Sequence, residues 1–197
     1  MTAQLGEMHA ASFATDPKHL GFVLARYKHV AKMLYGMSRV LEVGCGDTTG
    51  APLVKEVVGD LIGIDPVAYK SEPNIDVYSH DMLDGPFTNP NGCGKFNAAY
   101  ALDVLEHINP EDEDRFLTNI KASLEGGGMV IIGTPSLESQ PYASKLSKEH
   151  HVNCKTEDGL RATLWRHFRN VSILGMNDET LHTGYGPMCH YRLAICT

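Results

Sequence analysis

The strongest constraint on the fold of this chain is a short apolar strand that runs straight into a glycine-rich turn. The strand covers Arg39 to Val43, and the turn carries Gly44 and Gly46. The helix predicted after the turn has four aliphatic side chains on one side: Leu53, Val54, Val57 and Val58. Glycine at a strand-to-helix turn lets a ligand approach the backbone closely, at the sheet edge where open α/β folds bind. The segment therefore predicts a small-molecule site at that edge.

Further β-rich runs alternate with helical patterns along the chain. They are Leu61 to Ile64, Ile75 to Ser79, Phe96 to Leu102, Met129 to Gly133, Val171 to Met176 and Tyr191 to Cys196. This alternation predicts a parallel sheet covered by helices. A Gly-rich stretch without a clear helix separates the last two runs, which favours an antiparallel pair. The predicted fold class is a Rossmann-like, doubly wound α/β fold: a seven-stranded, mostly parallel sheet with an antiparallel C-terminal hairpin and helices on both faces.

Three other helices are predicted from capping residues and apolar spacing. One spans about Pro17 to Tyr35. The next begins with Asn109 as its N-cap and ends at the glycines of 126–128. The last begins at Thr156. Its apolar face carries Leu160, Leu164 and Phe168.

Acidic side chains follow three of the predicted strands at the point where each strand ends. Asp65 closes the second strand, about twenty residues after the glycine turn, where a carboxylate can bind two ribose hydroxyls. Asp81 follows the third strand, and Asp103 follows the fourth. Because the carboxyl ends of parallel strands share one edge of a sheet, these residues are expected to lie beside the glycine turn.

A nicotinamide-binding fold is the nearest competing interpretation of this edge. Its third fingerprint glycine would fall at Thr49, and the turn is preceded by Glu42 inside the strand. S-adenosylmethionine (SAM) has no pyrophosphate to seat on the helix terminus, so it does not need the third glycine. Glu42 then either meets the amino group of the methionine part of SAM or anchors the turn structurally, and both interpretations stay open.

In their order and spacing these motifs resemble those of the class I SAM-dependent methyltransferases, particularly the small group that includes the quinone-biosynthesis methyltransferases. The resemblance covers roughly residues 38–136, in five motifs: Leu41 to Gly46, Ile64 to Asp65, His80 to Met82, Leu102 to His107 and Gly126 to Pro135. It implies a methyltransferase with SAM as its cofactor and S-adenosylhomocysteine as its product.

The resemblance also assigns cofactor-binding residues by position. The methionine part would lie among Glu42, Gly44 and Gly46, the ribose at Asp65, the adenine between Asp81 and Met82, and the sulfonium near Asp103. Their neighbours Cys45, Pro66, Leu83 and Val104 complete the predicted set. Asp81 would accept a hydrogen bond from the adenine amino group and Met82 would donate one from its backbone. Core packing explains Met82 equally well.

Methyl transfer from a sulfonium needs alignment of the reacting atoms more than covalent help from the protein. A hydroxyl acceptor additionally needs a base, and the candidates are His107, His150 and His151. The alternatives are a hydrogen-bonded structural role for His107 and exposed or lid-packing roles for the other two. Tyr142 lies in the polar segment after the fifth strand and is expected to face the acceptor.

A chain of 197 residues is expected to form one domain. We predict a single methyltransferase domain over 1–197. Its parts are an N-terminal helical segment (1–37), a cofactor-binding core (38–136), a substrate-capping insertion (137–155) and a C-terminal helix and hairpin (156–197).

Charge and cysteine usage limit the partners. The net charge of −7 makes nucleic acid a poor acceptor, and a small molecule with an oxygen or carbon nucleophile is expected instead. The five cysteines are scattered, and neither a secretory signal nor a membrane span is recognised, so a cytoplasmic monomer or homodimer with reduced thiols is predicted.

Two alternatives and one negative expectation complete the predictions from sequence. A SAM-binding sensor or partner subunit without catalysis is the second hypothesis, and a nicotinamide-linked oxidoreductase is the third. His150, His151 and Cys154 have a metal-like spacing, but no second cluster along the sequence completes it. No metal is therefore predicted.

Overall fold

Strands of a single sheet make up the centre of the molecule, a computed structural model that describes residues 5–67, 75–90, 92 and 94–197. The described strands are β1 (Arg39–Val43), β2 (Asp60–Asp65), β3 (Asp76–Ser79), β4 (Phe96–Leu102), β5 (Leu124–Pro135), β6 (Val171–Asn177), β7 (Thr180–His182) and β8 (Tyr191–Cys196). Their order across the sheet is β3-β2-β1-β4-β5-β8-β6-β7. The first five strands along the chain pair in parallel, whereas β8 runs antiparallel to both β5 and β6. The predicted Rossmann-like fold class is confirmed.

Helices cover both faces of this sheet. They are α1 (Glu7–Thr15), α2 (Pro17–Met33), α3 (Ala51–Lys55), α4 (Glu113–Ser123), α5 (Lys145–His150) and α6 (Glu157–Trp165), with short 3-10 helices at Leu105–His107, Leu137–Tyr142 and Gly186–Met188. Side chains alternate across each strand, so Val40 packs under α2 and α3 while Leu41 packs under α4 and α6. Two apolar cores result, one on each face of the sheet.

The antiparallel pairing of the last two predicted strands is also found, but the connection between them is more ordered than expected. Residues Thr180–His182 form an additional strand that pairs with the end of β6. The described sheet therefore has eight strands rather than the predicted seven. β8 lies between β5 and β6, so the chain inserts its last strand into the sheet interior instead of adding it at the edge.

The predicted start of α4 is wrong by about one turn of helix. Asn109 was expected as its N-cap, but the helix begins at Glu113. The carbonyl of Asn109 instead accepts the N–H of Asp112, which closes a separate turn before the helix starts. At the other end α4 stops at Ser123, and the glycines of 126–128 lie inside β5 rather than at the end of the helix.

The helix after the glycine turn is shorter than the aliphatic spacing predicts. α3 ends at Lys55, so Val57 and Val58 follow it in a turn. The predicted helix at Thr156 is present and Thr156 caps it, accepting the N–H of Gly159. Phe168 is buried as expected but lies beyond the end of α6.

Within the described ranges, no helix is long and apolar enough to cross a membrane. The thiols of Cys45, Cys154, Cys189 and Cys196 are free, and Cys93 lies outside the described residues.

Candidate active site

The glycine turn is fixed by two neighbouring segments of the sheet edge. Gly44 and Gly46 have φ of 73° and 49°, in the left-handed region that favours glycine. The N–H groups of Gly44 and Cys45 both donate to the carbonyl of Ile64, at 2.8 and 3.0 Å. A Cβ on Gly44 would lie 2.4 Å from Cγ2 of Val104, just after β4. Glycine is therefore required at this turn by its φ and by the space left beside Val104.

Glu42 is buried at the end of β1, directly before the turn. Its Oε1 accepts a 2.7 Å hydrogen bond from the hydroxyl of Tyr27 on α2. Its Oε2 is also buried and has no partner of normal hydrogen-bond geometry in the described part of the chain. Burial raises the pKa of Glu42 to about 7, against the opposing effect of the hydroxyls of Tyr27 and Tyr100. One oxygen thus anchors α2 to the sheet, and the other can accept from a bound donor.

Asp65 closes β2 beside the same turn. Its Oδ2 accepts the N–H of Gly46 at 3.1 Å, and its Oδ1 accepts the N–H of Val67 at 2.9 Å. The next residue, Pro66, is exposed, and its carbonyl accepts from Ser79 at the end of β3. Each carboxylate oxygen can accept more than one hydrogen bond, so Asp65 holds the turn and still has acceptor capacity.

The residues after β3 are anchored by local and core contacts. Oδ1 of Asp81 accepts the N–H of Leu83 at 2.8 Å. The side chain of Met82 is buried in the core beneath α4, and its carbonyl accepts from the amide of Asn119. Met82 therefore packs in the core, while the assigned donation from its N–H to adenine stays a prediction.

Asp103 follows β4 in a left-handed conformation, with φ of 57°. Its Oδ2 accepts a 2.6 Å hydrogen bond from Nη1 of Arg26, whose guanidinium lies 3.9 Å from the centre of the Tyr191 ring. Arg26 comes from α2, and no local motif in the sequence indicated this role. The pair ties α2 to the end of β4 at the predicted sulfonium position.

The first described helix lies against the glycine turn from outside the sheet. The backbone N–H and the ring Nδ1 of His9 both contact the carboxylate of Asp47, at 3.1 and 2.6 Å. The N–H of Gly6 donates to the hydroxyl of Thr49. Although burial acts in the opposite direction, these hydrogen bonds hold the pKa of Asp47 well below its usual range. Thr49, which disfavoured a dinucleotide fingerprint, thus receives a contact from the N-terminal segment.

A second group of polar side chains lies just after β4. Glu106 is fully buried, and its Oε2 accepts from the hydroxyl of Thr134 while its Oε1 has no partner among the described residues. The ring centres of His107 and His151 are 5.1 Å apart. One ligand-type atom from each of Glu106, His107 and His151 falls within 4.8 Å of the other two. Sequence reasoning missed Glu106, although it stands inside the fourth motif.

The capping segment reaches this group through its backbone. The N–H groups of Val152 and Asn153 both donate to the carbonyl of Glu106, at 2.8 and 3.0 Å. This contact brings His151 beside His107, two predicted candidates that are distant in sequence. The ring of His150 is exposed, and only its carbonyl meets His107. Tyr142 is 91% exposed at the end of its 3-10 helix and is not part of the group.

The chain is similar in sequence to known methyltransferases. A family described as a methyltransferase domain matches residues 14–174. A ubiquinone biosynthesis O-methyltransferase from Azorhizobium caulinodans is 24% identical over 154 residues, which are 71% of this chain and 59% of that protein. A probable S-adenosylmethionine-dependent methyltransferase from Mycolicibacterium smegmatis is 27% identical over 116 residues, 56% of this chain and 42% of that protein. The chain thus spans about half the length of these curated relatives.

Solved structures show the same architecture at low identity. The plantazolicin methyltransferase BpumL in complex with SAH has a TM-score of 0.69 at 11% identity, over 97% of this chain and 89% of that one. Such a likeness supports the fold.

Proposed function

This chain belongs to the methyltransferase domain family, and from that premise we propose that it transfers the methyl group of SAM to an oxygen or carbon nucleophile of a small acceptor. Membership confirms the resemblance drawn from the motifs and the predicted SAM cofactor. The name of the Azorhizobium relative specifies an O-methyltransferase, which supports oxygen as the nucleophile here.

The observation that carries the proposal is the buried carboxylate of Glu42 at the end of β1, whose Oε2 has no partner of normal hydrogen-bond geometry among the described residues. A buried carboxylate oxygen that lacks a well-formed hydrogen bond is costly, and the α-amino group of a methionine moiety is a donor of the right charge. When bound, SAM supplies an electrophilic methyl group on a positively charged sulfur. Glu42, Gly44 and Gly46 would hold its methionine part, Asp65 its ribose, and Asp81 and Met82 its adenine.

The charge of the predicted cofactor site favours SAM over a dinucleotide. Its carboxylates come from Glu42, Asp65, Asp81 and Asp103. SAM offers these groups an amino group, hydroxyls and a sulfonium, all of which interact favourably with carboxylates. A pyrophosphate would instead meet like charge, which costs free energy at short range.

Proton removal from a hydroxyl acceptor is assigned to the ring nitrogens of His107 and His151. Nδ1 of His107 faces the carbonyl of His150, and Nδ1 of His151 faces Oε1 of Gln140. Because both facing atoms only accept, each Nδ1 carries the proton, and each Nε2 is free to take one from the acceptor. His150 is left out of this assignment because its ring is exposed and its carbonyl, not its ring, contacts His107.

The test is a calorimetric titration of the purified protein with SAM, S-adenosylhomocysteine and NAD. We expect micromolar binding of the first two and none of NAD. Asp65→Ala should weaken SAM binding by about tenfold or more, since it removes the ribose acceptor and the hydrogen bond to Gly46. Asp60→Ala, at the opposite end of the same strand, is the matched control and should bind normally.

Two outcomes would contradict the proposal. Binding of NAD without SAM would favour the oxidoreductase, and equal loss in both variants would assign the effect to β2 stability rather than to the cofactor site. With binding established, incubation with SAM and a panel of hydroxylated small molecules, followed by mass spectrometry, would identify the acceptor class by a gain of one methyl group.

A further inference from the structure

We propose that Glu106, His107 and His151 form a binding site for a divalent transition-metal ion next to the predicted sulfonium position. The sequence predicted no metal, because His150, His151 and Cys154 lacked a completing cluster. In the folded chain the completing residues, Glu106 and His107, come from the 3-10 helix after β4, and they join His151 rather than Cys154. One ligand-type atom of each of the three lies within 4.8 Å of the others.

The carboxylate of Glu106 is the first reason to place a cation here. Glu106 is fully buried, Thr134 satisfies its Oε2, and its Oε1 has no partner in the described chain. An ionised carboxylate in such a position is strongly destabilising unless a cation or donor meets it. A metal ion bound at Oε1 would supply that partner, with Thr134 orienting the ligand from its other oxygen.

The histidines are held in the tautomer that ligates metal. His107 directs Nδ1 to the carbonyl of His150 at 3.1 Å, and His151 directs Nδ1 to Oε1 of Gln140 at 2.9 Å. The orientation of Gln140 is set by its Nε2, which donates to the carbonyl of Ser136. Each Nδ1 is therefore the protonated atom, and each Nε2 carries the free lone pair. Ligating histidines in metal sites are usually fixed by the same outer hydrogen bond.

The donor set indicates which ions fit. Two imidazoles and one carboxylate suit zinc, manganese or iron in the divalent state, whereas calcium prefers all-oxygen sites. Three protein ligands leave at least one coordination position open, as in catalytic sites. The charge of Asp103 acts on both Glu106 and His151, which adds a favourable field for a cation. The guanidinium of Arg26, which is paired with Asp103, opposes this field at Glu106.

A role for this ion rests on the proposed function. A hydroxyl oxygen of the acceptor at an open position would become more acidic, as water does on zinc. The O–H bond then breaks with its proton passing to water, the oxygen bonds to the methyl carbon, and the S–C electron pair stays on sulfur. The ion would replace the imidazole base, since Nε2 cannot bind metal and take the proton at once. The site therefore predicts a hydroxyl acceptor rather than a carbon nucleophile.

The experiment uses the full chain, stripped with a chelator and titrated with Mn²⁺ and with Zn²⁺ by calorimetry. We expect one ion per chain with micromolar affinity. Glu106→Gln and His151→Ala should each weaken binding by about tenfold or more. His150→Ala is the matched control, because it removes the adjacent imidazole and leaves the backbone carbonyl that positions His107; it should bind the ion normally. Failure of the wild type to bind either ion at millimolar concentration, or equal losses in His150→Ala and His151→Ala, would overturn the proposal.

SAM titration of the same proteins separates this proposal from the proposed function. Normal SAM binding by Glu106→Gln and His151→Ala would show that the variants fold. His107→Gln replaces either variant that does not fold. A wild type that binds SAM but no ion defeats only the metal site, whereas one that binds the ion but not SAM defeats only the proposed function.

Discussion

The guanidinium of Arg26 donates a 2.6 Å hydrogen bond to the carboxylate of Asp103, across 77 positions of sequence. Arg26 also lies against the ring of Tyr191 on β8. Asp103 has a left-handed backbone conformation, with φ of 57°, at the end of β4. One side chain of α2 thus fixes a residue of the predicted cofactor site and joins it to the last strand of the sheet.

We expect this ion pair to be energetically coupled. Arg26→Met and Asp103→Asn should each destabilise the fold, because each leaves a partly buried partner unpaired. Asp103 is about a third exposed, so water screens part of the loss. Chemical unfolding of both variants and of the double variant should give a coupling of about 1–3 kcal/mol. Additive effects would show that the contact contributes no interaction energy.

Gly44→Ala should abolish most cofactor binding. Its φ of 73° disfavours a side chain, and its Cβ would lie 2.4 Å from Val104. Gly36→Ala is the matched control, since Gly36 has φ of 79° but nothing within 4 Å of its added Cβ. The control should lose about 1–2 kcal/mol of stability and bind SAM normally. Similar SAM affinity in both variants would show that the contact with Val104 does not shape the site.

The stability of the protein should depend on pH through Glu42. Burial raises its pKa from 4.5 to about 7, so the folded state holds the proton more tightly than the unfolded state. The contribution of Glu42 to the free energy of unfolding is therefore fully present below about pH 4.5. It is lost as the pH rises to about 7, and the free energy of unfolding falls by on the order of 3 kcal/mol. Glu42→Gln should lose less stability between pH 5 and pH 8 in urea unfolding.

The control for this pH effect is Glu56→Gln, which removes an exposed carboxyl after α3. It should keep the pH profile of the wild type. If Glu42→Gln also kept that profile, the carboxyl of Glu42 would not be the group that titrates.

Glu113 should stabilise the junction of α4, α6 and the capping segment. Its carboxylate accepts from Asn153, Thr163, Lys155 and Arg166. Burial acts to raise its pKa, but the hydrogen bonds of Lys155 and Asn153 outweigh burial and lower it. The contribution of Glu113 to stability is therefore present above the pKa that its carboxyl has in the unfolded chain. It is lost as the pH falls through the lower pKa of the folded state.

Glu113→Gln should cost about 2–3 kcal/mol at pH 7 and less at pH 3, measured by urea unfolding. Glu111→Gln, an exposed acid two positions earlier, should cost almost nothing. A loss that was equally large at pH 3 would assign the effect to packing rather than to the charge of Glu113.

Several features of the fold could be predicted because they depend on residues close in sequence. The glycine turn and the strands around it follow from local spacing, and parallel strands necessarily bring Asp65, Asp81 and Asp103 to one edge. Helix starts were less certain: the carbonyl of Asn109 closes a turn where a cap was expected. The strand β7 was missed because a three-residue strand has too little pattern to be recognised.

The sequence by itself determined seven of the described strands, their order along the chain and the family motifs, since these depend on apolar periodicity and on glycine at fixed positions. Only the tertiary structure decided which distant side chains meet. Arg26 reaches Asp103, His9 reaches Asp47, and His151 joins Glu106. The partners in these pairs are 38 to 77 positions apart and carry no common local signal. Packing of α1, α2 and the capping segment on the sheet brings these pairs together, and a burial pattern along the chain specifies the face of each element but not its partner.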